Sequence, residues 1–513
     1  MSSNLKALGA LLFLAAPLTA QTVVTSQRNA PRSAATLRGL LFVTHTGDSG
    51  TGSLRWAINQ ANLRAGADVI RFRIPGAGVH TIVPGSQLPP LTDPAGTLID
   101  GLSQPGASCG ANPPSTATLR IEIAGSAAGG AHGIWVQSDN NRVRGLIINR
   151  FQRDGIRIEG GLANTTASFN VAGCNYVGTD ASGAIDMGNG TDLSSLHGGV
   201  HICNVAGGVA SFNKVRKSLI SANYADGVWV EGPRQPGDVG NNTVGQNYIG
   251  TDASGTVDLG NDHEGVALTE GTHDNQVIEN LVSGNDTDGV GVQGFNNLGF
   301  PDPPIQTSNN LIAENTIGLD VNGGPLPNSM HGVAIGLYGS GQWGCADGNT
   351  IRKNVIAFNG GDGVAVVEDF IDTFNADHNR ITQNSIFDNG GLGIDLVDDM
   401  VTLNDPGDFD SAPNQEVNFP LMLSAMNMAG MTTVSGMIAI DTNPALATVE
   451  VFKARFDPSG HGEGEIYLGS TTPDALGNWT FMAAGLVSGD FITATTTDQA
   501  QNTSEFCQNI MVP

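Results

Sequence analysis

The chain has 513 residues, 40% of them hydrophobic and only 14% charged, with 70 glycines and a formal net charge of −26. That apolar share excludes a disordered chain, the lack of a strict glycine triplet excludes collagen, and a surface this negative repels the phosphates of a nucleic-acid partner. What fits is a chain of many short strands and tight turns, long enough for a large core and more than one domain.

The N-terminus reads as an export signal over 1–20. Lys6 supplies the positive start, "ALGALLFLAA" a short apolar core, and "LTA" ending at Ala20 a small-residue cleavage site. The apolar core is too short to span a bilayer, and no later stretch qualifies as a transmembrane segment. A secreted or periplasmic product is expected, cell-surface association included. Residues 21–40 read as a flexible leader. The five cysteines, Cys109, Cys174, Cys203, Cys345 and Cys507, are an odd number for an exported chain. At least one stays free or pairs with another molecule; they lack metal-type spacing, and no disulfide is assigned.

In "SLRWAINQAN", Leu54, Ala57, Ile58 and Ala61 share one helical face, as in a helix that closes the open end of a repeat array. Beyond it runs a repeat. Blocks with Asn every fifth residue begin at Asn141, Asn170, Asn213, Asn242, Asn275, Asn310, Asn349 and Asn379; the seventh reads "NTIRKNVIAFN". Each precedes or follows an anchor of the form Gly-[Ile/Val]-x-[apolar], at Gly133, Gly155, Gly199, Gly227, Gly265, Gly289, Gly332, Gly363 and Gly393. Such a period belongs to a solenoid. Each turn should hold three short strands, two in the Asn block and one at the anchor, stacked into parallel sheets. Asn at a fixed corner tolerates the turn conformation and its amide bonds the next Asn up the stack. In three turns an insertion follows the block, and there Asp180, Asp252 or Asp320 stands at the last ladder position. The inserts form one loop wall and the segments after the anchors a second, so the anchor sheet becomes the floor of a groove.

If the anchors' apolar residues point inward, the intervening residues face that groove. Up the stack they are Trp135, Arg157, His201 and Trp229, then Ala267, Gly291, Ala334 and Ala365, with Gln137, Glu159 and Glu231 two positions further along. Trp135 and Trp229, ~14 Å apart by strand spacing, would be stacking platforms for sugar rings. Glu159 and Glu231, ~9–10 Å apart, are near the upper separation of an inverting glycosidase pair. Alternatively Arg157 holds a uronate carboxylate and His201 acts as the base of an elimination. The bland reading is that loops cover these side chains. A second column precedes the anchors: Asp154, Asp226, Glu264, Asp288, His331 and Asp362. An acid before glycine is also an ordinary turn preference.

Between solenoid and C-terminus, "NDPGDFDSAPNQ" groups Asp405, Asp408 and Asp410, a donor set suited to calcium, though Asp-Pro-Gly-Asp also makes a good turn unaided. Calcium is the one cofactor expected. From residue 416 short alternating strands ("TVSGMIAI", "ATVEVFKA", "WTFMAA", "FITATTTD") read as an Ig-like sandwich. The organisation is signal 1–20, leader 21–40, capped solenoid 41–402, acidic linker 403–415 and sandwich 416–513.

Glycine-anchored strands with Asn ladders resemble right-handed parallel β-helix proteins, the architecture of pectate lyases and polygalacturonases. "DSGTGSLRWAINQAN" (48–62), "LTDPAGTLIDGLSQPG" (91–106), the repeated "GTDASG" and "DPSGHGEGEIYLGSTTPDALGNWTF" (457–481) resemble a bacterial family of exported β-helix repeat proteins. That resemblance spans about residues 40–513 and implies an all-β fold. On consecutive turns "NDHEG", "NDTDG" and "SMHGVAIG" resemble in part the acid, acid, His–Gly order of polygalacturonases, which implies catalytic roles for Asp288 and His331. The paired Asp–Asp of those enzymes is absent here, where the order is Asp286-x-Asp288, and "IRK" at 351–353 departs from their Arg-Ile-Lys. Two functions follow. One is a secreted protein that binds a polysaccharide or cell-surface glycan, and if an enzyme is a lyase or inverting glycoside hydrolase. The other is a non-catalytic adhesive or structural solenoid. A monomer is expected.

Overall fold

A computed structural model describes residues 39–192, 196–232, 237–294, 306–336, 346–367, 376–409, 412–428 and 430–513. The expected export signal, nearly all of the expected leader, Cys345 and Asp410 lie outside these residues. Among them, no helix is long and apolar enough to cross a membrane.

Between residues 39 and 396 the chain climbs three all-parallel sheets of 11, 10 and 9 strands. These are the faces of a parallel β-helix. The first face runs from Gly39–Val43 to Arg380–Thr382, the second from His80–Ile82 to Ser385–Phe387, and the third from Ile134–Val136 to Ile394–Leu396. One full turn shows how the repeat makes them: Thr350–Arg352 joins the first face, Val355–Ala357 the second and Val364–Val366 the third. The inward residue of each strand stacks on its like, Ile351 between Ile312 and Ile381, with Ile351, Ile356, Val364 and Val366 fully buried. β-Branched residues suit that half-buried pleat, and strands of three residues leave no room for a helical period.

The corners correct one expectation. The residue ahead of a ladder Asn, rather than the Asn, takes the left-handed conformation: φ is 54° at Lys353 and 63° at Phe358. The Asn side chain then holds that corner. Asn354 Oδ1 accepts the Asn315 N–H and Nδ2–H, both at 2.9 Å, while its own Nδ2 donates to Ile312 O and Asn384 Oδ1. The inserts bring a second correction. Asp180, Asp252 and Asp320 leave the ladder and each caps its own loop, as Asp252 Oδ1 does for the Thr256 and Val257 N–H groups. The insert doubles back, and Asn189, Asn261 and Asn328 fill the vacated corner, so the column continues Asn189, Asn223, Asn261, Asn285, Asn328, Asn359, Asn389. The anchor glycines serve close approach: a Cβ on Gly363 would meet Ile386 Cγ2 at 2.5 Å and Gly393 O at 2.6 Å.

Both ends are covered. The helix Leu54–Leu63, capped by Ser53 accepting the Trp56 N–H, buries Leu54, Ala57, Ile58 and Ala61 in the solenoid core. At the other end two antiparallel sheets of three and four strands form a β-sandwich around Val434, Val449, Val451, Trp479 and Ile492. Three of its glutamates meet the last turn where the next turn would have been. Glu450 accepts from the Thr382 hydroxyl and the Gln383 N–H, Glu463 from the Asn389 N–H and side-chain amide, and Glu505 from the Leu396 and Thr402 N–H groups. Asn414 extends another Asn column, accepting the Asn379 N–H. The pairing that the sequence left unassigned is Cys109–Cys174, with Cys203 and Cys507 as buried thiols.

Candidate functional site

The anchor register places Trp135 beside Arg157, Arg157 beside His201, His201 beside Trp229 and Trp229 beside Ala267. The column continues through Gly291, Ala334 and Ala365 and ends at Asp395, which sequence reasoning omitted. The large side chains therefore share one face of consecutive early turns. They are not laid open along it. Both tryptophans are half-buried, and His201 and Glu159 are each only 3% exposed.

Their polar atoms are joined to one another. Trp135 Nε1–H donates to Glu159 Oε2 at 3.0 Å, and Arg157 donates to Glu159 Oε1 at 2.7 Å and to Asp154 Oδ2 at 3.1 Å. Arg157 Nη1 also lies 2.9 Å from His201 Nδ1, and His201 Nε2 lies 3.0 Å from Glu231 Oε2. The His201 ring stacks on Trp229 at 4.2 Å, while Trp229 Nε1–H donates to the Thr269 hydroxyl. Cys203 stands opposite Glu159, 3.9 Å from its Oε1.

At the base of this group lies Asp154. His132 Nδ1 is 3.1 Å from its Oδ2, His197 Nδ1 is 3.2 Å from its Oδ1, and the Gly198 N–H donates to Oδ1 at 3.1 Å. Burial alone would raise the Asp154 pKa; the charge of His201 and the close approach of the three histidine rings hold it well below the usual carboxylate range. Burial lowers the His132 pKa despite Asp154. Burial would also lower that of His201, but its neighbours Cys203 and Asp154 raise it well above its ordinary value. A cavity of about 310 Å³ opens here, lined by His132, Trp135, Arg153, Arg157, Glu159, Leu162 and His197. Leu162 belongs to the loop after one anchor strand and His197 to the insert before the next, so the cavity lies between the two loop walls.

Sequence reasoning missed Arg153, His132, His197 and Cys203. His132 precedes Gly133 just as Asp154 precedes Gly155, but no Asn block announces that turn. His197 is displaced by one residue because Gly198 and Gly199 form a doublet.

The remaining pre-anchor residues make a ladder of their own. Asp226 accepts the Glu264 N–H, Asp288 the His331 N–H, His331 Nδ1 the Asp362 N–H, and Asp362 the Leu392 N–H. Each side chain thus fixes the same turn one level up. Burial pushes the Asp288 pKa up to about 6, and burial with the neighbouring Glu264 charge raises that of Asp226 well above its ordinary value. In the linker, Asp408 accepts the Asn418 and Asp441 N–H groups, while Asp405 Oδ1 is buried without a hydrogen-bond partner.

No family model matches the chain, and no curated protein matches it. Among solved structures it is similar to the A-module of the Azotobacter vinelandii mannuronan C-5 epimerase AlgE4, at 18% identity over 69% of this chain and 80% of that one, TM-score 0.43. It is also similar to PfbA, a surface adhesin of Streptococcus pneumoniae, at 11% identity over 69% and 91%, TM-score 0.40. The Dettilon tailspike protein matches at 12% identity over 91% and 94%, TM-score 0.35. At these values nothing about activity passes from them to this chain.

Proposed function

We propose that this is an exported protein that binds an acidic polysaccharide in the cavity over the early turns of the third face. One observation carries the reading. In a chain of net charge −26, two arginines and two histidines converge with an indole on a single open cavity. A pyranose ring stacks on Trp135, and a uronate carboxylate meets Arg153, whose side chain is 44% exposed and holds Asp192 only loosely, at 3.9 Å. Arg157 is already committed to Asp154, Glu159 and His201, and it adds positive potential. Trp229 lies outside the cavity lining and holds His201 in place. The Cys109–Cys174 disulfide supports export, because such bonds persist in oxidising compartments.

Trp135→Ala is expected to weaken binding of oligouronates about tenfold, roughly 1.4 kcal/mol, and Arg153→Ala to weaken them more than neutral oligosaccharides. Calorimetric titration of both variants, with circular dichroism confirming the fold, checks this. Unchanged affinity in both would overturn the reading.

Non-catalytic adhesion is the second reading, favoured by the state of the proposed acid–base groups. Both oxygens of Glu159 already accept strong donors, and Asp288 and His331 are bonded into the ladder. New reducing ends or unsaturated termini after incubation with polysaccharide would reverse that preference and assign proton transfer to His201 and Glu231. Calcium at the 404–415 loop is proposed as a structural ion, supported by the unpartnered Asp405 oxygen. Chelation should then lower the melting temperature by several degrees; a melting point indifferent to chelator and added calcium counts against it.

A further inference from the structure

We infer that His132, Asp154 and His197 form a mononuclear site for a divalent transition ion, zinc being the best match, with an open coordination position facing the cavity. A ring nitrogen of each histidine and a carboxylate oxygen of Asp154 lie within 4.8 Å of one another. The two rings approach the carboxylate from its two oxygens, His132 Nδ1 at 3.1 Å from Oδ2 and His197 Nδ1 at 3.2 Å from Oδ1, so an ion held by both rings at bonds of about 2.0–2.1 Å would meet the carboxylate between them. All three side chains are enclosed, at 4%, 0% and 10% exposure.

A second observation separates this from an ordinary histidine–aspartate ion pair. His132 Nδ1 sits at ion-pair distance from Asp154, yet it is buried and makes no hydrogen bond. A buried ring nitrogen without a hydrogen is costly unless its lone pair finds something to bind. Other clusters of similar composition fail this criterion. His331 Nδ1 already accepts the Asp362 N–H, and His201 has Arg157 on one nitrogen and Glu231 on the other.

Two imidazoles and one carboxylate select a borderline ion such as zinc over calcium or magnesium, which prefer all-oxygen sets. Arg157 donates to Glu159 at 2.7 Å and to Asp154 Oδ2 at 3.1 Å, so a metal would share the Asp154 carboxylate with that guanidinium. Since His132 and His197 line the same cavity as Trp135, with Asp154 buried beneath them, the fourth position is open to water or to an anionic ligand entering it. The inference shares this cavity with the polysaccharide reading but does not depend on it.

The test uses the full chain, stripped with chelator and titrated with zinc chloride, without sugar. One zinc per chain is expected, and cobalt should quench tryptophan fluorescence, because the Trp135 ring lies 5.2 Å from that of His132. His132→Ala and His197→Ala should each weaken zinc binding at least tenfold, while Cys203→Ser and His263→Ala leave it unchanged. Circular dichroism and melting temperature confirm folding, and the two histidine variants are independent, so one that misfolds leaves the other to decide. Absence of stoichiometric zinc, or zinc binding that survives both histidine substitutions, overturns the site. Sugar affinity measured with and without chelator separates the readings: intact sugar binding with no zinc overturns only the metal.

Discussion

Asn354→Leu should lower the unfolding free energy by roughly 3–6 kcal/mol, the largest effect expected of any single substitution in the solenoid. The side chain is 1% exposed and bonds to both adjacent turns. Leucine would leave the Asn315 N–H and Nδ2–H and the Ile312 carbonyl without partners in a site that water does not reach. It would also remove the support for Lys353, whose left-handed conformation costs a non-glycine residue on the order of 1 kcal/mol. Asn354→Ser should lose much less, because the same column already contains Ser218, whose hydroxyl accepts the Asn175 N–H at 3.1 Å. Chemical denaturation of the three proteins checks this; a leucine variant within about 1 kcal/mol of the parent would sink the ladder account.

The junction with the sandwich should make stability fall as pH rises from about 4.5 to about 8. Burial pushes the pKa of Glu505 up to about 8, and those of Glu463 and Asp395 up to about 7. The Asp395 charge adds to the rise at Glu505, those of Asp362 and Asp398 to the rise at Asp395, and that of Asp457 to the rise at Glu463. Because these folded values lie above the ordinary ones of 3.8 and 4.5, the folded chain holds protons that the unfolded chain has released. The contribution is complete below pH ~4 and is lost by the time pH has passed the folded values. Each tenfold difference in proton affinity between the folded and unfolded chain corresponds to about 1.4 kcal/mol. Partial exposure on opening reduces the sum, so a loss on the order of 3 kcal/mol between about pH 5 and about pH 8.5 is expected. Denaturation midpoints at both pH values measure it. Glu463→Gln with Glu505→Gln should flatten the slope; a slope unchanged in that double variant would place its origin elsewhere.

The solenoid was legible because its cause is local and repeated. An Asn every fifth residue, a glycine before alternating valines, and Leu54, Ala57, Ile58 and Ala61 on one helical face each constrain a few neighbouring residues. Strict stacking then orders Trp135, Arg157, His201 and Trp229 without further information. Legibility ended where the chain leaves the repeat and returns. Asn189, Asn261 and Asn328 rejoin the ladder after inserts of different length, so their place depends on a fold of the insert that the period does not encode. His197 reaches Asp154 by the same route, from 43 residues away. The tryptophans were placed on the right face but with too much exposure, because the depth of a groove depends on loop walls rather than on strands.

The glutamate-tipped sandwich has a consequence for the company the molecule keeps. Arg380–Thr382, Ser385–Phe387 and Ile394–Leu396 are the terminal strands of their three sheets. Left bare, such edges present rows of unsatisfied N–H and C=O groups, all at one level, to any extended chain that drifts past. A stack of identical parallel turns is an especially good template, since the next turn and a foreign strand satisfy it equally well. Glu450, Glu463 and Glu505 take up donors on all three faces with side chains that cannot propagate a sheet. The sandwich thereby ends the stack chemically as well as sterically, and keeps one molecule from becoming the seed of a fibre.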